Sequence, residues 1–254
     1  MIGWAITGIL SYLAVPLFRP MLSGQKRRNY RGEEIPTALG LAFVLPGALM
    51  MTARLHLKFS GLFALALLLF ALFGLIDDVY GELSPKGFRG HFSTPRFSTG
   101  VCKALGGFAA GLALASSLNT SLWQVILNGG NIALLANFMN LLDLRPGRCG
   151  KTFILLGFIV FLLRPSDLGP LFAMLWAVAG YLSWDLRRSV MMGDTGSNAL
   201  GAVLGLACTI SFSLGARIAL LLVLVGLNLV AERVSFSDII ESNRFLHYLD
   251  QLGR

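Results

Sequence analysis

The sequence predicts an all-α integral membrane protein with about nine transmembrane helices, an outside N-terminus and a cytoplasmic C-terminus. Three observations carry that expectation. Only 13% of its 254 residues are charged, where an ordinary soluble domain carries about a quarter. Hydrophobic residues make up 55% of the chain, and apolar runs approaching the length of a membrane span recur along it. The basic residues gather at alternate ends of those runs. Together these features exclude a soluble globular enzyme and a disordered chain. A net charge of +8 would suggest nucleic acid in a soluble protein; here it reads as basic flanks of membrane helices, with no nucleic-acid partner.

Taken in order, the first run, 2–18, lacks a basic leader and ends at Phe18-Arg19-Pro20 without a small-residue cleavage site. It is read as a span and not a signal peptide. Runs 37–53 and 59–76 follow, the latter closing directly on Asp77-Asp78. Run 99–118 carries Gly106, Gly107, Ala109, Ala110 and Gly111, small residues that suit close helix packing in lipid. Run 122–142 ends among Asn137, Asn140 and Asp143. Runs 152–163 and 168–184 are short for a span and are expected to be tilted or broken. Runs 198–214, with Gly201 and Gly205, and 216–231 complete the set.

Beyond them, Phe236, Ile239, Ile240, Leu246, Leu249 and Leu252 recur at helical spacing among acids and arginines. Segment 232–254 is therefore predicted to be an interfacial amphipathic helix, with Ser235 and Asp238 at its start. No internal repeat divides the chain, so residues 1–254 read as one polytopic domain: a core over 1–231 and a cytoplasmic tail over 232–254.

This topology puts 17 of the 21 Lys and Arg residues inside, leaving only Arg54, Lys58, Arg164 and Arg217 outside. Of the 13 acids, only Asp167 falls outside. Polar chemistry is thus expected on the cytoplasmic face of the plasma membrane. Cys102, Cys149 and Cys208 show neither metal-ligand spacing nor a disulfide framework.

Four inner segments hold polar groups that the membrane does not require. Asp77 and Asp78 sit at a helix C-terminus, the unfavourable end of the macrodipole for a carboxylate. A cation, or a lysine such as Lys86, would relieve the cost. Asn137, Asn140 and Asp143, spaced by three, are expected to form one polar stripe on an apolar helix. Met192-Gly193-Asp194-Thr195-Gly196-Ser197 precedes the eighth run, and its glycines suit a tight turn feeding a helix N-terminus able to take phosphate. Asn29, Arg31 and Thr37 belong to a basic segment in which Lys26, Arg27 and Arg28 read as topogenic charge. His56, His91 and His247 are scattered. Acids and bases at one membrane face suit a divalent ion holding a phosphorylated substrate, and an all-oxygen ligand set favours Mg²⁺, with Mn²⁺ as substitute.

Asn29-x-x-Gly32-x-x-Ile35-Pro36-Thr37, Asp77-Asp78, Asn137-x-x-Asn140-Leu141-x-Asp143 and the Met192–Ser197 motif occur in that order. In this order they resemble the polyprenyl-phosphate N-acetylhexosamine-1-phosphate transferases, over about residues 29–231. The resemblance implies Mg²⁺-dependent transfer of a sugar-1-phosphate from a UDP-sugar to a polyprenyl phosphate such as undecaprenyl phosphate, releasing UMP. The process would serve cell-wall or other envelope polysaccharide synthesis. It further implies Asp194 as metal ligand and Asp77 and Asp78 as the catalytic acid pair, Asp78 also at the metal. Asn140 and Asp143 fall on the nucleotide-sugar side, with Asn29, Thr37 and Asn137 as further substrate-binding positions. Lys86 and Lys103 are candidates for holding phosphate. A homodimer is left open.

The chain departs from that family at Asn140-Leu141-Leu142-Asp143-Leu144-Arg145-Pro146-Gly147, where Pro146 replaces a second acid. It also lacks a histidine-rich last loop, since 232–254 holds only His247. Arg145 or Arg148 is expected to grip the donor diphosphate instead, because arginine reads phosphate oxygens. The alternative is a relative that binds polyprenyl phosphate or a protein partner without turnover.

Overall fold

In lipid the backbone has no water to bond with, so long apolar stretches close their N–H and C=O groups within helices. The computed structural model describes residues 2–81 and 99–253. Its helices are α1 (Ile2–Met21), α2 (Leu41–Thr52), α3 (Ser60–Tyr80), α4 (Thr99–Ser116), α5 (Leu122–Leu142), α6 (Arg148–Leu163), α7 (Gly169–Leu186), α8 (Gly193–Ser211) and α9 (Leu214–Ala231). Two short helices, α10 (Phe236–Ser242) and α11 (Arg244–Gln251), form the tail. Between α1 and α2 a small antiparallel hairpin pairs β1 (Lys26–Arg28) with β2 (Glu34–Pro36). Among the described residues the architecture is all-helical apart from that hairpin. By length and apolarity α3, α5 and α9 can each cross a membrane.

Several boundaries differ from the hydropathy pattern, each for a tertiary reason. Helix α2 starts at Leu41 because the preceding residues are bonded elsewhere. Met191 N–H donates to the Pro36 carbonyl, and Leu39 and Gly40 donate to those of Met191 and Met192. Helix α3 runs on to Tyr80, which places Asp77 and Asp78 inside its last turns. Helix α8 begins at Gly193, so the acid-bearing motif is its first turn and not a preceding loop.

The hub of the bundle is α8, buried from Thr195 through Thr209 and packed most extensively on α3 and α5. Two close approaches set its position. At Gly74 a Cβ would lie 2.1 Å from the Asp194 carbonyl oxygen, so only glycine lets α3 press on the first turn of α8. At Gly201 a Cβ would lie 2.3 Å from the Leu135 carbonyl oxygen of α5. Asn140, Ala136 and Ile132 of α5 thus meet Ser197, Gly201 and Gly205 of α8, a register of four on both helices. By contrast α9 buries only Leu224 and turns Leu222, Val223 and Leu229 outward.

The tail is helical and amphipathic, as expected, but it is broken in two. Asn243 ends α10, and its side-chain oxygen accepts the Phe245 and Leu246 N–H groups to start α11. Phe245, Tyr248 and Leu252 point outward, while Asp250 points in and is buried. Arg148 grips Asp250 with two parallel bonds of 2.9 and 3.0 Å and donates to Ser237 Oγ at 3.0 Å. Lys151 Nζ adds bonds to the carbonyls of Leu249, Asp250 and Leu252.

Candidate active site

The close approach at Gly74 dictates what happens one turn later on the same face of α3, at Asp78. The first N–H groups of any helix lack intrahelical acceptors. Asp78 supplies them across the bundle: its Oδ1 accepts from Asp194 N at 3.1 Å, and its Oδ2 from Thr195 N at 2.9 Å and Thr195 Oγ1 at 2.6 Å. The residue is 7% exposed. Gly193, with φ +72°, leaves the room; a Cβ there would meet Asp78 Oδ2 at 2.5 Å and Thr37 Oγ1 at 2.8 Å. Thr37 is buried, and its hydroxyl has no hydrogen-bond partner among the described residues.

Asn140 fixes the side chain that Asp78 leaves in place. Its amide donates to Asp194 Oδ1 at 2.6 Å and to Ser197 Oγ at 3.1 Å, and Ser197 in turn donates to the Gly193 carbonyl. Asp143 caps the C-terminal end of α5, where it accepts the Gly193 N–H. Desolvation, then the like charges of Asp185, Asp194 and Asp78, holds its carboxyl well above the ordinary carboxylate value. Asp78 of α3, Asp185 of α7 and Asp194 of α8 thus gather around Asp143 at the end of α5.

Asp185 is a member the sequence reading missed. It ends the seventh apolar run as Asp77-Asp78 ends the third, and that shared pattern was the available signal. Buried at 4% exposure, it accepts the Gly147 N–H at 2.8 Å and so holds the turn from α5 into α6. Arg27 is the second omission. Read as topogenic, it instead reaches from the hairpin to the end of α3, donating to the carbonyls of Asp77 at 3.0 Å and of Asp78 and Gly81 at 3.4 Å. It thus places positive charge at the negative helix end beneath the paired acids.

Beside these acids lies a cleft lined by Asn29, Tyr30, Asp143, Arg145, Asp185 and Arg188. Arg145 stands at its rim, 2.8 Å from Glu241 of the tail and with its guanidinium 4.6 Å from the Tyr30 ring centre. Asn29 lines the cleft, yet its side chain also staples its own turn, bonding the N–H groups of Arg31 and Glu33 and the Glu33 carboxylate. Ala38 and Arg188, at φ +62° and +61°, hold left-handed conformations on the two segments that meet beside α8. Such strain persists only where surrounding structure enforces it.

Two expected site residues fall elsewhere. Asn137 does not share the face of Asn140; it bonds Asn228 of α9. A spacing of three drifts by about 60° per step around a helix of 3.6 residues per turn, so the expected stripe splits. Arg148, buried in the tail clamp, presents its guanidinium to Asp250 and Ser237 and not to the cleft. Lys86 lies outside the described residues, and Lys103 lies on α4 with its side chain outside them. Among the described residues no three His, Cys, Asp or Glu side chains are placed to cage a metal ion.

Apolar helices long enough to span a bilayer, with carboxylates gathered at one end of the bundle, define the class of helical membrane proteins that carry a polar site. The family is narrower. A model of Glycosyl transferase family 4 matches residues 60–212, more than half of the chain and the whole stretch from α3 through α8. The chain belongs to that family, the polyprenyl-phosphate hexosamine-1-phosphate transferases. No curated protein matches the chain significantly.

Proposed function

We propose that the chain transfers an N-acetylhexosamine-1-phosphate from a UDP-sugar to undecaprenyl phosphate or a similar polyprenyl phosphate, releasing UMP. The reaction would occur at the cytoplasmic face of the plasma membrane, within envelope polysaccharide or peptidoglycan synthesis. One observation carries this reading: Asp78 bonds the first turn of α8 that bears Asp194, and both lie with Asp185 close enough to Asp143 to raise its carboxyl, inside the family match.

The donor set fits Mg²⁺. That ion commonly takes one or two carboxylates and fills its other positions with substrate phosphate and water, so no protein cage is required. Asp194 and Asp143 offer such oxygens. Asp78, already accepting three hydrogen bonds, acts better as the group that positions Asp194. Bound Mg²⁺ would neutralise charge on the donor diphosphate. The chain's own residues do the rest. Asp77 would take the proton of the acceptor phosphate, whose oxygen attacks the β-phosphorus while its bond to the bridging oxygen breaks and UMP leaves. Arg145 and Arg188, at the cleft, would hold the nucleotide end.

The test is transfer of label from a panel of UDP-sugars to butanol-extractable lipid, using membranes that contain the chain and added undecaprenyl phosphate. Labelled lipid is expected with at least one N-acetylhexosamine donor, and it should vanish with excess EDTA. A folded protein that labels no lipid with any donor would overturn turnover and leave a carrier-binding relative.

A further inference from the structure

At the end of the bundle opposite the acids, α5 and α9 enclose a second polar cluster. Asn128 and Asn131 are 0% and 1% exposed on α5, and Arg217 lies on the first turn of α9. Arg217 Nη1 donates to Asn128 Oδ1 at 3.2 Å, and Asn131 Nδ2 donates to the Arg217 carbonyl at 2.9 Å. These bonds fix both amide orientations, since a guanidinium can only donate and a carbonyl only accept. Three buried atoms then remain without a hydrogen-bond partner among the described residues: Arg217 Nε, Asn128 Nδ2 and Asn131 Oδ1.

Charge compounds the deficit. Among the described residues no carboxylate forms an ion pair with Arg217. The one acid the sequence puts on this side, Asp167, sits by Arg164 and Lys58 at 3.6 and 4.0 Å. A cation on a first helical turn also faces the positive end of the macrodipole. Arg217 is partly buried, with its Nε closed off from solvent, and two orphan donors beside one orphan acceptor specify a partner that both accepts and donates. A water molecule could bridge the three atoms but would leave the charge uncompensated.

We propose that Arg217, Asn128 and Asn131 form a binding site for a phosphate group that carries a hydroxyl. Its oxyanion takes the Arg217 and Asn128 N–H groups, and its hydroxyl donates to Asn131 Oδ1. A glycerol-bearing phospholipid headgroup and free hydrogen phosphate share this chemistry. The site is separate from the transferase centre and does not depend on that assignment.

Thermal unfolding of the purified full-length chain tests it, with phosphatidylglycerol or phosphatidylcholine added, and with inorganic phosphate against chloride at equal ionic strength. Wild type should gain about 3 °C with phosphatidylglycerol over phosphatidylcholine if the ligand is lipid, or with phosphate over chloride if it is the free ion. Arg217→Gln should lose that gain, whereas Arg28→Gln, on the hairpin, should keep it. Asn128→Asp supplies the missing counter-charge within the chain, so it should fold stably and respond equally to both lipids and both salts. A wild type indifferent to headgroup and phosphate overturns the site. So does a preference that survives unchanged in Asn128→Asp, whether or not Arg217→Gln folds.

Discussion

Gly147 and Arg148 are neighbours in the chain and serve opposite electrostatic designs. The Gly147 N–H goes to Asp185 in the acid cluster, whereas the Arg148 guanidinium goes to Asp250 in the tail. In the cluster, Asp78 and Asp143 are held by backbone N–H groups among like charges. In the clamp, a buried carboxylate meets a full counter-charge in bidentate geometry. Dipoles fix a geometry without cancelling its charge, and a buried ion pair cancels charge while fixing geometry. The first arrangement stays negative and suits a cation or cationic side chains bringing phosphate; the second is a strap.

The largest expected effect separates Asp194 from Asp78. Asp194→Asn should cut transfer about a thousandfold, some 4 kcal/mol of barrier, with thermal stability unchanged. Asp78→Asn should lose as much activity but also unfold at lower temperature, because one amide nitrogen would face the N–H groups that begin α8. Equal stability of the two variants would return Asp78 to a ligand role.

Next comes the clamp. Arg148→Ala leaves the Asp250 carboxylate buried without its guanidinium and should cost about 3 kcal/mol. Limited proteolysis should then cut within 232–254, while the KM for the UDP-sugar stays near wild type. A raised KM with an intact tail would instead put Arg148 at the donor diphosphate.

A smaller effect follows from the raised Asp143 carboxyl. Between the ordinary value near 4 and its higher folded value, the folded state binds more protons than the unfolded. Stability therefore falls as pH rises through that window and stays reduced above it. In the absence of divalent ions, Asp143→Asn should melt higher than wild type at pH 7. The difference should disappear as pH drops to about 4. Unchanged melting at pH 7 would mean that the like charges around Asp143 cost the fold nothing.

The smallest effect belongs to Asn137. Its bond to Asn228 joins two helices outside the acid cluster, so Asn137→Leu should cost about 0.6 kcal/mol. Activity within twofold of wild type is the expected assay result; a large loss would bring Asn137 back to the substrate.

What the sequence determined by itself was the material of the fold. Apolar runs left the chain helices as the way to satisfy its backbone, and acids at the ends of those runs marked where polar chemistry gathers. Asp77, Asp78, Asp143 and Asp194 were legible for that reason, and Asp185 carried the same mark unread. Partners were decided by tertiary structure, because spacing along one helix does not say which neighbour each face meets. Asn140 and Asn137 stand three apart, yet one turns to α8 and the other to α9. Arg27 reads as topogenic charge and Arg148 as a phosphate grip until the hairpin carries the one to the end of α3 and the tail folds over the other. Gly74 and Gly201 read as generic small residues, and only their contact with the α8 first turn and with α5 shows why a side chain is excluded. Hydropathy is a property of each run, whereas a hydrogen bond is a property of two runs brought together, and the site consists of the second kind.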